Sequence, residues 1–197
     1  IHFILEKEQN RERILNLIFS CAKKYLNLNL DQINIKKIDL SSRYDDKKTI
    51  LIKRLLQNHI PLVYRSKIVN EIFNKVVNID EEEFSKKLYM NKSHLQELHK
   101  NNFVIGSHGY NHYWWNSLTK KNQELEIKTS INYFKKNKIF NENFSVCYPY
   151  GGYNHHTLEV LKKYKIKFAL TVKMGSVNKR NIKNIFELPR YDTNDFK

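Results

Sequence analysis

A glycine-bracketed segment, Ile105-Gly-Ser-His-Gly-Tyr-Asn-His112, is the feature that most constrains how this chain can fold. It follows a short apolar run of the kind that forms a buried strand. Its two glycines favour a loop over a helix, because glycine weakens a helix interior and supplies backbone angles that other residues avoid. The pattern therefore predicts a strand over residues 103–106, followed by a loop that carries His108 and His112.

These two histidines are separated by four positions, a spacing that can direct both imidazole rings toward one point. Neutral imidazole is the most common ligand side chain for zinc and related ions. His108 and His112 are therefore candidate ligands of a divalent metal, with zinc as the first choice. The alternative is that they are ordinary loop residues, since the chain contains 8 histidines.

Neighbouring stretches carry a family resemblance. Together with Phe84-Ser-Lys-Lys-Leu-Tyr-Met-Asn91, Leu95-Gln-Glu-Leu-His-Lys100 and Leu118-Thr119, the histidine loop resembles the polysaccharide deacetylase family, also called NodB-homology proteins or family 4 carbohydrate esterases. Its histidine motif looks like a variant of that family's motif with one extra residue. Phe144-Ser-Val-Cys-Tyr-Pro-Tyr-Gly-Gly-Tyr-Asn154 resembles the family's next motif, a strand that runs into an aromatic-Pro-Tyr-Gly turn. The resemblance covers residues 84–195.

The chain divides into a helical part, residues 1–90, and a part in which helices and strands alternate, residues 91–197. Apolar positions at helical spacing predict helices in the first part over residues 4–24, 31–38, 49–57, 66–77 and 80–87. In the second part, predicted strands at 103–106, 144–148, 167–172 and 184–188 alternate with predicted helices at 93–101, 119–138 and 154–164. This alternation predicts an α/β fold with a mainly parallel sheet.

The resemblance implies a distorted (β/α) barrel of the polysaccharide deacetylase type, in which metal sites lie at the carboxyl ends of the strands. Residues 1–90 would then be a helical insertion within a single, partial domain, and residues 91–197 would be the β/α part that carries the motifs. The first barrel strand is expected upstream of Ile1.

The resemblance also implies roles for single residues. His108 and His112 would hold the metal, and the backbone N–H of Tyr150 would stabilise the oxyanion. The family places a general-acid histidine in a late Leu-x-His motif, which this chain lacks. Arg190 and Asp192, near the end of the chain, are therefore further catalytic candidates.

Four more residues are candidates for contact with substrate. Pro149 sets the turn, and Gly151 lets the backbone pass close to a ligand. Trp114 and Trp115 follow the histidine loop and have aromatic faces that stack on sugar rings. Adjacent aromatic residues after a loop can equally have packing roles, in the hydrophobic core and in the wall beside the loop, without contacting a sugar.

In the family, the third metal ligand and the general base are aspartates of a Thr-Phe-Asp-Asp motif, and this sequence has no such motif. Its one adjacent aspartate pair, Asp45-Asp46, precedes a predicted helix, so helix capping explains it without catalysis. The missing motif is expected upstream of Ile1, and the pair Asp45-Asp46 is the alternative.

Composition excludes some classes of function. The net charge of +15 is dispersed and accompanies no base-reading or stacking motif, which argues against nucleic-acid binding. No apolar tract reaches the ~18 residues of a membrane span. Cys21 and Cys147 are far apart and fit a reducing compartment, hence the bacterial cytoplasm.

The activity that the resemblance implies is metal-dependent hydrolysis of N-acetyl groups on a bacterial polysaccharide or its sugar precursor. A catalytically inactive carbohydrate-binding relative and a basic nucleic-acid-binding protein are the alternatives. The sequence specifies neither the sugar nor the oligomeric state.

Overall fold

The computed structural model describes residues 1–26 and 35–196. The chain forms two compact units, Ile1–Leu88 and Tyr89–Lys197. Their boundary lies two residues before the predicted division between residues 90 and 91. Within the described residues, no helix is both long enough and apolar enough to cross a bilayer.

The first unit is helical throughout its described residues. Its elements are α1 (His2–Lys7), α2 (Arg11–Leu26), a 3₁₀ turn (Ile35–Lys37), α3 (Lys47–Arg54) continued by a π-helical turn (Leu55–His59), α4 (Leu62–Val76) and α5 (Glu81–Leu88). The first four of the predicted residues 31–38 lie outside the described ranges.

The single helix predicted over residues 4–24 is wrong, because the helix is interrupted between α1 and α2. Asn10 donates its N–H to a carboxylate oxygen of Glu8 at 2.8 Å and accepts the N–H of Arg13 at 3.1 Å. Such local bonds to side chains compete with the helical hydrogen-bond pattern. The Asn10 side chain thereby begins a new helix.

The core of the first unit is mainly aliphatic, with Phe73 and Cys21 among its buried side chains. Seven of its isoleucines are 0% exposed: Ile4, Ile14, Ile18, Ile52, Ile60, Ile68 and Ile72. Asp46 lies at the N-terminus of α3, where its carboxylate accepts the N–H groups of Lys48 and Thr49 at 2.9 and 3.0 Å. Asp45 pairs with Lys53 at 2.6 Å. Both aspartates thus have local structural roles.

The second unit alternates helices with short strands. Its elements are α6 (Lys92–Lys100), a 3₁₀ turn (Trp115–Ser117), α7 (Lys120–Lys136), β1 (Ser145–Cys147), a 3₁₀ turn (Pro149–Gly151), α8 (His155–Lys163), β2 (Phe168–Leu170) and two closing 3₁₀ turns (Asn181–Lys183 and Thr193–Phe196). Its core lies where α7 and α8 meet β1 and β2.

Strands β1 and β2 pair in parallel, with Val146 opposite Ala169. Ser107 forms a parallel bridge to Val146, and Leu188 forms one to Leu170. The spatial order is therefore Ser107, β1, β2, Leu188, and the predicted parallel direction is confirmed.

Among the described residues, the predicted strand at 103–106 forms no bridge, because the bridge on that side lies one residue later, at Ser107. The predicted strand at 184–188 contributes one bridging position, Leu188, so both predictions are wrong in extent. Phe103 and Val104 are 60% and 50% exposed, so no second neighbour covers this edge within the described residues. Without such a neighbour the pleated geometry is not held by hydrogen bonds on both sides. A closed barrel is therefore not confirmed.

Candidate metal and active site

The histidine loop begins at the carboxyl end of the sheet. Ser107 donates its N–H to the carbonyl oxygen of Ser145 at 2.9 Å and accepts the N–H of Cys147 at 2.9 Å. His108 follows directly, and the backbone then turns through left-handed angles, with φ of 80° at Gly109 and 58° at His112. The parallel pairing and the glycine together place the loop as the sequence predicts.

The rings of His108 and His112 lie edge to face, with their centroids 4.7 Å apart. Nδ1 of His108 lies 2.9 Å from the carbonyl oxygen of Cys147. A carbonyl only accepts, so this nitrogen carries the proton, and in the neutral ring Nε2 then carries the lone pair. Nδ1 of His112 lies 3.0 Å from the hydroxyl oxygen of Tyr150, and the same tautomer results when Nδ1 donates to it.

This donor set fits two positions of a zinc-type site, because both rings can present Nε2 to one ion. Catalytic zinc sites take three protein ligands and keep one position open. Across residues 1–26 and 35–196, no group of three His, Cys, Asp or Glu side chains is arranged to hold an ion. The described residues thus provide two candidate ligands, His108 and His112.

An aromatic wall stands beside His112. The 3₁₀ turn after β1 puts Tyr150 in a left-handed conformation, with φ of 56°. The Tyr150 ring packs against His112 with centroids 4.6 Å apart and against Trp114 with centroids 5.2 Å apart. The structure therefore brings Tyr150 and the half-buried Trp114 to the histidine pair.

Two of the residues predicted to contact substrate are buried in the structure. Trp115 is 0% exposed and packs edge-on against Tyr148, with ring centroids 6.0 Å apart. Pro149 is also buried, and a Cβ added to Gly109 would lie 3.0 Å from its ring. Both residues support the site from beneath, because packing of the two motifs against each other removes them from the surface.

Backbone conformation and packing explain why position 151 requires a glycine. Its φ is 73°, and an added Cβ would lie 2.5 Å from a methyl group of Val172. Any side chain here would strain the backbone and collide with Val172, two residues after β2. Close approach of this glycine to a substrate stays a prediction.

Comparison with known proteins decides the family. The family model described as polysaccharide deacetylase matches residues 37–169, which is more than half of the chain. This chain belongs to the polysaccharide deacetylase family. The resemblance of its motifs is thereby confirmed, and the match includes the histidine loop, the aromatic-Pro-Tyr-Gly turn and parts of both compact units.

Among solved structures, the Streptococcus pyogenes deacetylase PplD in complex with acetate matches with a TM-score of 0.49 and 20% sequence identity. The match covers 65% of this chain and 58% of that chain, so the present chain spans little more than half the length of PplD. No curated protein sequence matches.

Arg190 lies two residues after Leu188, which is bridged to β2. Its Nε donates to the carbonyl oxygen of Thr171 at 3.0 Å, which fixes it at the same carboxyl edge as the histidine loop. Burial raises the pKa of the Cys147 thiol, and the positive charge of Arg190 opposes that rise. The charge of Arg190 therefore acts on the residue whose carbonyl holds His108.

The hydrogen bonds found for Asp192 stay within its own turn. Its carboxylate accepts the backbone N–H and the side-chain amide of Asn194, both at 2.9 Å. The backbone N–H bond is the main reason why the pKa of Asp192 lies below its usual value. These contacts describe a turn cap, and a catalytic role for Asp192 stays a prediction.

Sequence reasoning missed Glu126, a carboxylate that is 3% exposed on α7 of the deacetylase fold. It accepts the backbone N–H groups of Tyr110 and Asn111 at 3.0 and 2.9 Å. The signal was available in the helical pattern. Polar residues share the buried stripe of α7 with apolar ones: Gln123, Glu126 and Ser130 alternate with Ile127, Ile131 and Phe134.

An open groove of about 320 Å³ borders His108. One side is the histidine loop at residues 106–110, and the other is α7 with Ser130, Tyr133 and Phe134. The volume falls in the range of small-molecule sites, roughly 300 to 1,000 Å³. The groove gives a ligand access to one face of the loop.

Proposed function

We propose that this chain carries the histidine half of the active site of a metal-dependent deacetylase, which removes N-acetyl groups from a bacterial polysaccharide or its sugar precursor. The observation that supports it is the close pair His108 and His112. The Nδ1 atom of each ring is hydrogen-bonded, so each ring has Nε2 as the atom to offer a cation. The family supplies the reaction class, and a cytoplasmic location is part of the proposal.

Hydrolysis of an N-acetyl group adds water across the amide C–N bond and yields acetate and a free amine. A divalent cation held by His108 and His112, zinc by the nature of the ligands, would supply Lewis acidity toward the acetyl carbonyl and activate the attacking water. We assign the third metal ligand and the general base to carboxylates that are not among the described residues.

The other residues of the site would position groups around that reaction. The Tyr150 hydroxyl holds Nδ1 of His112, and we assign its backbone N–H to the oxyanion of the tetrahedral intermediate. Trp114 continues the aromatic wall of Tyr150 and would stack on a sugar ring. Arg190 would place a positive charge at the edge of the site, and Asp192 is a candidate for the general acid in place of the lacking Leu-x-His histidine.

The test combines metal binding with acetate release from an N-acetylated oligosaccharide. Replacing His108 by alanine should weaken Co²⁺ binding more than about 100-fold, since even partners of metal ligands are worth roughly 10- to 100-fold. His155→Ala is the matched control, because His155 is an exposed histidine at the start of α8. Equal Co²⁺ affinity in both variants would overturn the metal assignment.

The same assay separates the alternatives. Oligosaccharide binding without acetate release, with Co²⁺ or Zn²⁺ present, would favour an inactive carbohydrate-binding relative. Nucleic-acid binding that stays tight at physiological salt would favour the third function, because dispersed lysines give weak, salt-sensitive binding. Acetate release that depends on His108 would support the proposed hydrolase.

A further inference from the structure

The side chain of Glu126 is bound entirely to the histidine loop in the contacts that the structure describes. One carboxylate oxygen accepts the N–H of Tyr110 at 3.0 Å and the N–H of Asn111 at 2.9 Å. The other accepts the side-chain amide of Asn111 at 2.5 Å. All three donors lie between His108 and His112.

The Glu126 carboxylate is buried, and burial of a carboxylate is energetically unfavourable unless hydrogen bonds replace the lost water. The ion pairs among the described residues include none to Glu126. Three donors meet two acceptor-only oxygens here. With Asn111 in its present orientation, a glutamine would turn an NH₂ group toward the NH₂ group of Asn111, so it cannot make the same set of bonds unless the Asn111 amide turns over.

Helix α7 holds the loop at a second place, one turn further along. The hydroxyl groups of Ser130 and Ser107 lie 3.0 Å apart, and the Ser107 hydroxyl accepts the N–H of Gly109 at 3.2 Å. Residues four positions apart share one face of a helix. Glu126 and Ser130 thus bind the chain on both sides of His108.

The loop lies directly on this carboxylate. A Cβ added to Gly109 would lie 3.4 Å from Oε2 of Glu126 and 3.3 Å from Nε1 of Trp115. The loop therefore has little room to shift, and its conformation decides where the two imidazole rings point.

We propose that Glu126 is a positioning residue of this site: its carboxylate fixes the backbone between His108 and His112 so that both rings face one point. It acts through the loop, since its described hydrogen bonds all go to Tyr110 and Asn111. The part of the inference that concerns metal affinity rests on the proposed function, whereas the part that concerns ring orientation does not.

The experiment compares the full chain with Glu126→Gln and with the matched control Glu124→Gln. Glu124 lies on the same helix, but its carboxylate binds Lys163 and Tyr164 at 2.6 and 2.8 Å. Two properties are measured: the ¹⁵N shifts of the imidazole nitrogens without metal, and the affinity for Co²⁺. Glu126→Gln should move His108 from a single Nδ1–H tautomer toward a mixture and weaken Co²⁺ binding roughly 10- to 100-fold. Glu124→Gln should change neither.

A second substitution tests for positioning as opposed to general damage. Adding Asn111→Asp to Glu126→Gln restores the pairing, because the glutamine amide can donate to the new carboxylate while its oxygen accepts the two backbone N–H groups. The double variant should recover the tautomer and the Co²⁺ affinity. It is also the variant to measure if Glu126→Gln alone unfolds.

Unchanged tautomers and affinity in Glu126→Gln, or a folded double variant without recovery, would overturn the role of Glu126. If the unaltered chain binds no Co²⁺, the proposed function fails, and the tautomers alone still decide whether Glu126 orients the rings.

Discussion

The two compact units bury different kinds of side chain. In the first unit the core is mainly aliphatic, and of the buried polar side chains that the structure describes, Thr49 alone lies there. The second unit also buries polar side chains, which are Ser107, Gln123, Glu126, Ser130, Asn137, Thr157 and Thr171. Several of them are hydrogen-bonded to the histidine loop or to the helix that holds it.

Aliphatic packing and buried hydrogen bonds contribute to a core in different ways. Aliphatic packing stabilises a fold without selecting one loop conformation, since it is non-directional. Buried hydrogen bonds are directional, and each partner left unpaired is unfavourable. The second unit therefore gives up some apolar burial for a defined geometry around His108 and His112.

The largest expected effect concerns the aliphatic core of the first unit. Ile72→Ala removes a side chain that is 0% exposed and should lower the free energy of unfolding by about 2 to 5 kcal/mol. Chemical denaturation measures the loss. Because Ile72 lies in the core of the first unit and the histidine loop in the second, the Co²⁺ affinity of the folded protein should stay the same. A loss of Co²⁺ affinity in the folded variant would show that metal binding depends on the core of the first unit.

A smaller effect is expected at the histidine loop. Gly109→Ala puts a Cβ at a φ of 80° and 3.0 Å from the ring of Pro149. The strained backbone should lower the free energy of unfolding by about 1 to 3 kcal/mol and, unlike Ile72→Ala, should also weaken Co²⁺ binding. Denaturation and Co²⁺ titration are measured on one sample. Destabilisation with unaltered Co²⁺ affinity would show that loop geometry does not control the site.

The aspartate pair of the first unit should matter only for stability. Asp46→Ala removes the cap of α3 and should lower the free energy of unfolding by about 0.5 to 2 kcal/mol. Metal binding and acetate release should not change, with Asp39→Ala as an exposed control. Loss of acetate release in Asp46→Ala would instead support the alternative that this pair replaces the missing motif.

The smallest effect is a pH dependence within the first unit. Hydrogen bonds from Lys75, Tyr25 and Lys24 lower the pKa of Glu71 to about 2. The carboxylate therefore stabilises the fold above its usual pKa, and the stabilisation is lost as pH falls from about 4.5 toward about 2. Denaturation midpoints of the unaltered chain and of Glu71→Gln should differ at pH 7 and converge near pH 2.

Salt provides the control for that measurement. Lys24 and Lys75 are 57% and 52% exposed, so added salt should reduce the difference at pH 7. A difference that persists unchanged at pH 2 would show that Glu71 acts by packing and not by charge.

Local patterns were enough to predict the general organisation of the chain. Most helices follow their apolar periodicity, and the predicted strands at 144–148 and 167–172 contain β1 and β2. The interruption before α2 was missed because local hydrogen bonds to the side chains of Glu8 and Asn10 outweigh the periodicity. The extent of the strands was missed because a strand depends on its neighbours in space.

The sequence by itself determined the position of the histidine loop and the family, since an apolar run, two glycines and two histidines act over a few adjacent residues. Only the tertiary structure decided that Trp115 and Pro149 lie beneath the site and that Glu126 holds the loop. These outcomes depend on contacts between segments far apart in the chain, such as the bond between Glu126 and Asn111 across 15 positions. A residue's spacing shows what its side chain can do, whereas packing against distant segments decides whether that side chain reaches the site.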